Sequence, residues 1–301
     1  MKRFLRCSAV AAACLLITAG VLAQSKQAST AAELQKTPKA VFTDAPADAA
    51  HPAKSTVLHI PSHGVEINGL VYQPSGAGPH PTLVLCHGWP GNEKNLDLAQ
   101  AVRRAGWNVV TFNYRGSWGS PGSFSFAQNL EDADAVLAYL RSPANAAALG
   151  VDTHRMVLAG HSMGGWVTAQ TAAHDHALAG AVLISAGDMG RLGFAPPQIR
   201  LQQAQENSET LAATAQQMSD ELQSHARQFL FANDAEGLSH LPLLALTADD
   251  GLAPDTDALV QAIKAKGGQQ VTEIHVATDH SWSDHRITLE SIVINWLAQL
   301  P

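Results

Sequence analysis

The 301-residue chain contains few cysteines and no recognisable metal-binding pattern. Two of its three cysteines, Cys7 and Cys14, lie close to the N terminus, which leaves Cys86 alone in the rest of the chain. A single cysteine excludes an internal disulfide bond. The 14 histidines are scattered, without an HExxH or a paired CxxC pattern, so the sequence predicts no metal site and no cofactor.

Positive charge is also scarce, because 19 Lys and Arg residues stand against 26 Asp and Glu residues, a net charge of −7. An acidic balance disfavours nucleic acid and anionic membranes as partners, so we expect neither. Hydrophobic residues make up 46% of the chain and charged residues 15%, which is typical of a globular protein.

The N terminus resembles a secretory signal peptide. MKRFLR carries three positive charges, and the apolar run CSAVAAACLLITAGV after it is short for a membrane span. Small residues before Gln24 predict cleavage after Ala23 and export to the periplasm or medium, with no membrane contact afterwards. An uncleaved anchor is one alternative. Lipid attachment at Cys14 is another, although AAAC lacks the usual bulky residue.

The remaining chain divides into two parts. Residues 24–55 are rich in Ala, Ser, Thr, Lys and Pro, and predict a flexible lead-in. Residues 56–301 alternate between strand-like and helix-like segments after an initial β-hairpin, STVLHIP and VEINGLVYQP. This alternation predicts one α/β domain, with a mostly parallel sheet covered by helices on both faces.

Residues 188–237 form a connection between two strands that is longer than usual. Pro196 and Pro197 precede what the sequence predicts to be one long Gln/Ala-rich helix. We interpret the segment as a small inserted helical cap, and a surface helix without a role in binding is the alternative. The predicted helix has an apolar face formed by Leu211, Ala215, Met218 and Leu222.

The segment GHSMG, residues 160–164, fits the pattern G-x-S-x-G between the strand RMVLA and a helix. In that context the serine lies on a sharp turn with its hydroxyl projecting above the sheet. A serine hydroxyl needs a neighbouring histidine as base and a carboxylate to orient that base. Ser162 is therefore the predicted nucleophile.

His280, in TDHSWSDH after the last strand, is the predicted base, whereas we expect His285 at the surface and His275 within a strand. Asp249 and Asp250 both follow the strand LPLLALTA. Successive strand residues point to opposite sides, so only one of them can face His280 easily. The run DGLAP favours Asp250 as the acid, and Asp249 remains the alternative.

Two backbone N–H groups should form an oxyanion hole for the negative charge that develops on the substrate. One belongs to Met163, directly after the nucleophile. The other is expected from Trp89 in the segment HGWPG, because Pro90 has no N–H group. Trp118 and Phe124 follow strand ends and are candidates for an acyl pocket, with ordinary packing as the alternative.

These segments together resemble the α/β-hydrolase superfamily over residues 56–301. The resemblance rests on HGWPG, FNYRGSWGSPG, GHSMGG, the aspartate after LLALTA and DHSWSDHR. Within the superfamily the chain is similar to the dienelactone-hydrolase, feruloyl-esterase and prolyl-oligopeptidase-like branch. The resemblance implies an eight-stranded sheet, a Ser–His–Asp triad and a lid between the sixth and seventh strands. Dienelactone hydrolases typically carry a cysteine nucleophile in place of Ser162, so we do not expect dienelactone as the substrate.

We therefore expect an exported serine hydrolase, a carboxylesterase that cleaves small or medium acyl or aryl esters through an acyl-enzyme. A serine peptidase acting on short peptides is the first alternative. It would need a carboxylate to bind the free amino terminus, and none can be assigned in the cap. A non-catalytic binding protein on the same fold is the second alternative. Loss of a triad residue would indicate it, and the sequence retains all three.

Overall fold

The computed structural model describes residues 31–301, so the predicted signal peptide and the first residues of the lead-in lie outside the described residues. Eight strands form one sheet in the order β1-β2-β4-β3-β5-β6-β7-β8. The strands are β1 Lys54–Ser62, β2 Val65–Gln73, β3 His80–Cys86, β4 Asn108–Phe112, β5 Val151–His161, β6 Gly180–Ile184, β7 Leu243–Ala248 and β8 Val271–Val276.

Strands β1 and β2 form the predicted antiparallel hairpin, and β2 also pairs antiparallel with β4. All the remaining strand pairs are parallel. The predicted α/β fold with a mostly parallel eight-stranded sheet is therefore confirmed. Because parallel strands end at the same edge, the loops after β3, β5, β7 and β8 meet there, which is where such sheets place their ligand sites.

Helices cover both faces of the sheet and bury two apolar cores. On one face α3 and α5 bury Leu137 and Trp166, and on the other α2 and α11 bury Leu98 and Ile292. The helices are α1 Lys39–Phe42, α2 Leu96–Arg104, α3 Phe126–Arg141, α4 Pro143–Leu149, α5 Met163–His174, α6 Met189–Gly193, α7 Pro197–Glu206, α8 Ala215–His225, α9 Ala235–Leu238, α10 Ala253–Ala265 and α11 Arg286–Leu297.

The described part of the lead-in is packed on the domain, which differs from the flexible segment that its composition predicts. Leu34 is fully buried in the core beside α11. The Asn295 side chain donates hydrogen bonds to the backbone carbonyls of Leu34 and Lys36, at 2.8 and 2.7 Å. Arg104 binds the carbonyls of the α1 region in the same way. These tertiary contacts hold the segment on the domain, although its composition predicts flexibility.

Residues 188–237 contain two main helices, so the prediction of one long helix is wrong. Helix α7 ends at Glu206, and α8 begins at Ala215 with a capping box between Thr214 and Gln217. Leu211 lies in the intervening loop and not on the apolar face of a helix. The capping box supplies partners for the first N–H groups of α8 and so favours a new start at this point.

The loop between α7 and α8 is hydrogen-bonded to the loop that follows β4. The N–H of Ala212 donates to the carbonyl of Gly116 at 2.7 Å, and its own carbonyl accepts from Phe124 N–H at 3.2 Å. The N–H of Trp118 donates to the carbonyl of Thr210 at 3.1 Å. These backbone bonds replace the helical bonds that a continuous α7–α8 helix would have formed.

Glu221 of α8 makes a second connection between this segment and the core. Its carboxylate accepts hydrogen bonds from the Ser125 hydroxyl at 2.6 Å and from the N–H groups of Phe126 and Ala127 at 3.0 and 2.9 Å. The first N–H groups of a helix have no partner within it, and the N terminus of its dipole attracts negative charge. Glu221 therefore stabilises the start of α3 from across the interface.

We expect Glu221→Gln to lower the free energy of unfolding by about 1–2 kcal/mol, because it removes the charge and one of the two acceptor oxygens. Urea denaturation would measure the change. Glu209→Gln, in the exposed loop before α8, is the matched control and should change stability little. Equal effects of the two substitutions would contradict this role of Glu221.

Asp234, just before α9, is a buried carboxyl group with one side-chain donor. It is 5% exposed, and its Oδ2 accepts a hydrogen bond from Gln170 Nε2 at 2.8 Å. Burial raises the pKa of Asp234 to about 7, and the nearby charge of Asp188 adds to that effect, while the bond from Gln170 opposes it.

The raised pKa predicts that the protein loses stability as pH increases. The folded-state pKa lies above the unfolded value, so the stabilisation from protonated Asp234 is complete below about pH 4 and is lost as pH rises through about 7. Asp234→Asn should therefore weaken this decline and give a higher urea midpoint than wild type at about pH 8. The exposed Asp257→Asn is the control, and the same pH dependence in wild type and Asp234→Asn would exclude this assignment.

Candidate active site

Ser162 lies on the turn between β5, which ends at His161, and α5, which begins at Met163. Its backbone has φ 59° and ψ −123°, a conformation that costs a non-glycine residue about 1–3 kcal/mol. The Ser162 N–H donates to the carbonyl of Ile184 in β6 at 3.0 Å, and its carbonyl accepts from Gly165 and Gly187. The neighbouring strand and the first turn of α5 thus hold the strained residue in place.

The glycines on either side of Ser162 allow three backbone segments to approach closely. A Cβ atom on Gly160 would overlap the carbonyl oxygen of Gly164. A Cβ atom on Gly164 would overlap the carbonyl oxygen of Cys86 at the end of β3. The cluster of glycines around the serine is therefore required by the contacts among β5, α5 and β3.

His280 and Asp250 form a hydrogen-bonded pair at the same edge of the sheet. The distance from His280 Nδ1 to Asp250 Oδ2 is 2.8 Å, and the Asp250 side chain is only 3% exposed. Asp249 makes a different contact, because its carboxylate lies 3.0 Å from His275 Nε2 in an exposed pair. The structure thus places Asp250, and not Asp249, against His280.

Asp250 is held in its ionised form by the groups around it. Burial by itself would raise its pKa, but hydrogen bonds from His280, the Leu252 N–H and the Ser185 hydroxyl outweigh burial and leave the pKa below its ordinary value. An ionised carboxylate on Nδ1 fixes the imidazole tautomer, with the proton on Nδ1 and a free lone pair on Nε2.

Ser185 and Trp282 support Asp250, and the sequence-based reasoning did not find them. The Trp282 indole donates to Ser185 Oγ at 3.0 Å, and both residues are at most 2% exposed. An indole N–H can only donate, so the serine hydroxyl keeps its own proton for the Asp250 carboxylate. One weak signal was available, since Ser185 is the first polar residue after the buried strand β6.

His161 connects the serine turn to the His280 loop. Its Nε2 lies 2.7 Å from the backbone carbonyl of His280, and the two imidazole rings are 4.7 Å apart. Burial lowers the pKa of His161 to about 4, so it is neutral and donates its Nε2 proton to that carbonyl. Within residues 31–301 the Ser162 hydroxyl forms no hydrogen bond with the His280 ring. In enzymes of this kind the bond between serine and histidine often forms fully only when substrate binds.

The predicted oxyanion loop, HGWPG at residues 87–91, lies against the serine turn. A Cβ atom on Gly88 would be 3.0 Å from the Ser162 Cβ, so Trp89 directly follows a residue that lies against Ser162. Within the described residues, the backbone N–H groups of Trp89 and Met163 donate no hydrogen bond. Both groups are therefore available to an oxyanion.

The two candidate pocket residues occupy different environments. Trp118 is half-buried, and its indole donates to the carbonyl of Pro90 at 2.7 Å, which links it to the oxyanion loop. Phe124 is 5% exposed and packs edge-on against Phe126, which in turn contacts the Trp89 ring.

Cys86, at the end of β3, is fully buried behind the oxyanion loop. Burial raises the pKa of its thiol to about 12, so the thiolate needed for nucleophilic attack does not form at neutral pH. Over residues 31–301, no group of three His, Cys, Asp or Glu side chains converges on a possible metal position. The helices in that range include none with the length and apolar character of a membrane span.

Residues 83–288 match the sequence profile of the Alpha/beta hydrolase family. The match covers more than half of the chain and includes the segment HGWPG, the serine turn and His280. The protein therefore belongs to the α/β-hydrolase family.

Individual relatives agree with this fold. The quorum-quenching protein AidA of Acinetobacter baumannii is 31% identical over 127 residues, which make up 40% of this chain and 40% of AidA. An esterase of Pyrobaculum calidifontis superposes with a TM-score of 0.61 at 20% identity, over 92% of each chain. An acylaminoacyl peptidase of Pyrococcus horikoshii gives 0.61 at 17% identity, over 82% of this chain and 42% of the peptidase. At these identities the two structures show the shared fold alone.

The pairing of Asp250 with His280 predicts unequal effects for two neighbouring substitutions. Asp250→Asn should lower kcat for p-nitrophenyl acetate by about 10³–10⁴-fold, because the amide no longer fixes the required imidazole tautomer. Asp249→Asn, the matched control, should change kcat by less than about twofold, because its partner His275 lies outside the pair. The reverse ranking would exclude Asp250 as the triad acid.

Proposed function

We propose that the protein is an exported serine carboxylesterase that cleaves small or medium acyl or aryl esters. The observation that carries the proposal is the strained Ser162 turn beside the Asp250–His280 pair, with His161 joining the two. Export rests on the sequence pattern of residues 1–23. The expected partner is a small-molecule ester, and no nucleic acid or membrane partner is proposed.

In the proposed reaction Ser162 Oγ attacks the ester carbonyl carbon while His280 Nε2 takes the hydroxyl proton. Asp250 stays ionised and stabilises the imidazolium through the Nδ1 bond. The N–H groups of Trp89 and Met163 stabilise the tetrahedral oxyanion by about 3 kcal/mol each. His280 then protonates the departing alcohol, which leaves an acyl-enzyme. Water, activated by the same histidine, releases the acid and restores Ser162.

Three carboxylates of residues 188–237, those of Glu206, Asp220 and Glu221, lack the features of an aminopeptidase site. An aminopeptidase needs a free carboxylate to bind the amino terminus of its substrate, but Glu221 is occupied by the start of α3. Glu206 and Asp220 accept hydrogen bonds from Gln202 and Gln216 on the same helices, in exposed positions. None of these three carboxylates is both buried and free to bind an ammonium group.

We infer a modest substrate size from the α7–α8 loop. Its three backbone hydrogen bonds to residues 116–124 hold it beside Trp118, whose indole binds the oxyanion loop. A segment fastened in this way leaves less room for a polymeric substrate than an open edge of the sheet would.

The test is turnover of p-nitrophenyl esters of increasing acyl length and of aminoacyl p-nitroanilides. We expect turnover of short esters, reduced at least about 10³-fold in Ser162→Ala without a change in melting temperature. Ser239→Ala, at a hydroxyl on the opposite side of the domain just before β7, is the control. Preference for the anilides would indicate a peptidase. Turnover of neither class, with an intact fold, would favour a binding protein.

A further inference from the structure

Lys94 is a partly buried cation without an acidic partner. It lies between the oxyanion loop and α2, and it forms no ion pair with any of residues 31–301. Its Nζ donates to Asn113 Oδ1 at 2.8 Å and lies 4.1 Å from the centre of the Trp118 ring. An ammonium group has three donors, so two remain for another ligand.

Burial makes the charged form of Lys94 less favourable than it is in water. Burial lowers the pKa of Lys94 to about 8, so the group is mainly protonated at neutral pH. The adjacent His87 is neutral, because burial lowers its pKa to about 4. Removing a cation from water without an ion-pair partner is unfavourable, and such groups are frequent in ligand sites.

Lys94 lines a cavity of about 310 Å³ between the β1–β2 hairpin, β4 and the start of α2. Among the described residues that form this cavity, Lys94 alone carries a charge. Much of the wall is apolar, with Leu70 and Leu85 among the lining residues and the exposed side chains of Val57 and Leu96 at the rim. This volume and this mixture of apolar walls with one charged group suit a small ligand.

Lys94 also lines a second cavity, in which it is not the only charged residue. The second cavity is also formed by Glu93, Asp97 and Arg286, of which Arg286 is paired with Asp97. Charges of both signs therefore face that space, and it gives no preference for an anion. The 310 Å³ cavity is the one in which the lysine charge is unopposed.

We propose that the 310 Å³ cavity binds a small amphipathic carboxylate, such as a short fatty acid or an aryl acid. The carboxylate contacts Lys94 Nζ, and the hydrocarbon part packs against Leu70 and Leu96. One loop connects the cavity with the serine turn, because His87 lines the cavity and Gly88 lies against Ser162. The proposal rests on the geometry around Lys94 and holds whether or not the protein is an esterase.

The test is isothermal titration calorimetry of the purified protein with sodium hexanoate and, as a neutral analogue, hexanamide. We expect hexanoate to bind at one site and hexanamide to bind at least about tenfold more weakly. Lys94→Met should weaken hexanoate binding by at least about tenfold, and Lys94→Arg should restore most of it. Lys266→Met, a surface lysine paired with Glu236, is the matched control and should bind as wild type does.

His280→Ala separates this cavity from the catalytic centre, which could bind an acid as a reaction product. The proposal requires hexanoate affinity to be unchanged in His280→Ala and reduced in Lys94→Met, with circular dichroism confirming that both are folded. Loss in His280→Ala without loss in Lys94→Met would place the acid at the catalytic centre and overturn the proposal. Absence of binding to wild type, or equal affinity for hexanoate and hexanamide, would overturn it as well.

Discussion

The backbone conformation of Ser162 is the constraint on which the rest of the site depends. A positive φ at this residue turns the chain from β5 into α5 within a single position. That turn is possible only because Gly160 and Gly164 allow β3, β5 and α5 to touch. The oxyanion loop rests on the turn through Gly88, and the His280 loop is joined to it through His161. The strain is thus compensated by contacts from several parts of the sheet.

The segment between β6 and β7 is attached to the core by several hydrogen bonds. Its helices are held to the core by backbone hydrogen bonds from the α7–α8 loop and by Glu221 at the start of α3. A hinged lid would carry few such bonds, because each one must break when the lid opens. These contacts fasten the segment to the core, and Trp118 links its α7–α8 loop to Pro90 in the predicted oxyanion loop.

Much of this arrangement was predictable from sequence, because local patterns determine it. Apolar runs of strand length separated by helical periodicity predicted the sheet, and G-x-S-x-G between a strand and a helix predicted the serine turn. Adjacent Asp249 and Asp250 could not be separated with certainty, since their partners lie about 30 residues away on β8 and in the loop after it. Ser185 and Trp282 depend on two loops meeting in space, which no local pattern reports. The broken α7–α8 helix has the same origin, because its tertiary hydrogen bonds replace helical ones.

The burial of Cys86 gives the protein a natural reporter. Its thiol is fully buried, and the Cys86 backbone carbonyl lies against Gly164 at the start of α5. A thiol reagent in solution can reach Cys86 only when the loop after β3 and the start of α5 move apart. The rate of thiol modification therefore measures how often this local opening occurs. In the chain from Gln24 onward Cys86 is the single cysteine, and the signal would come from one place. The same burial shields the sulfur from oxidation, whereas an exposed lone thiol is open to oxidation and to pairing with other molecules.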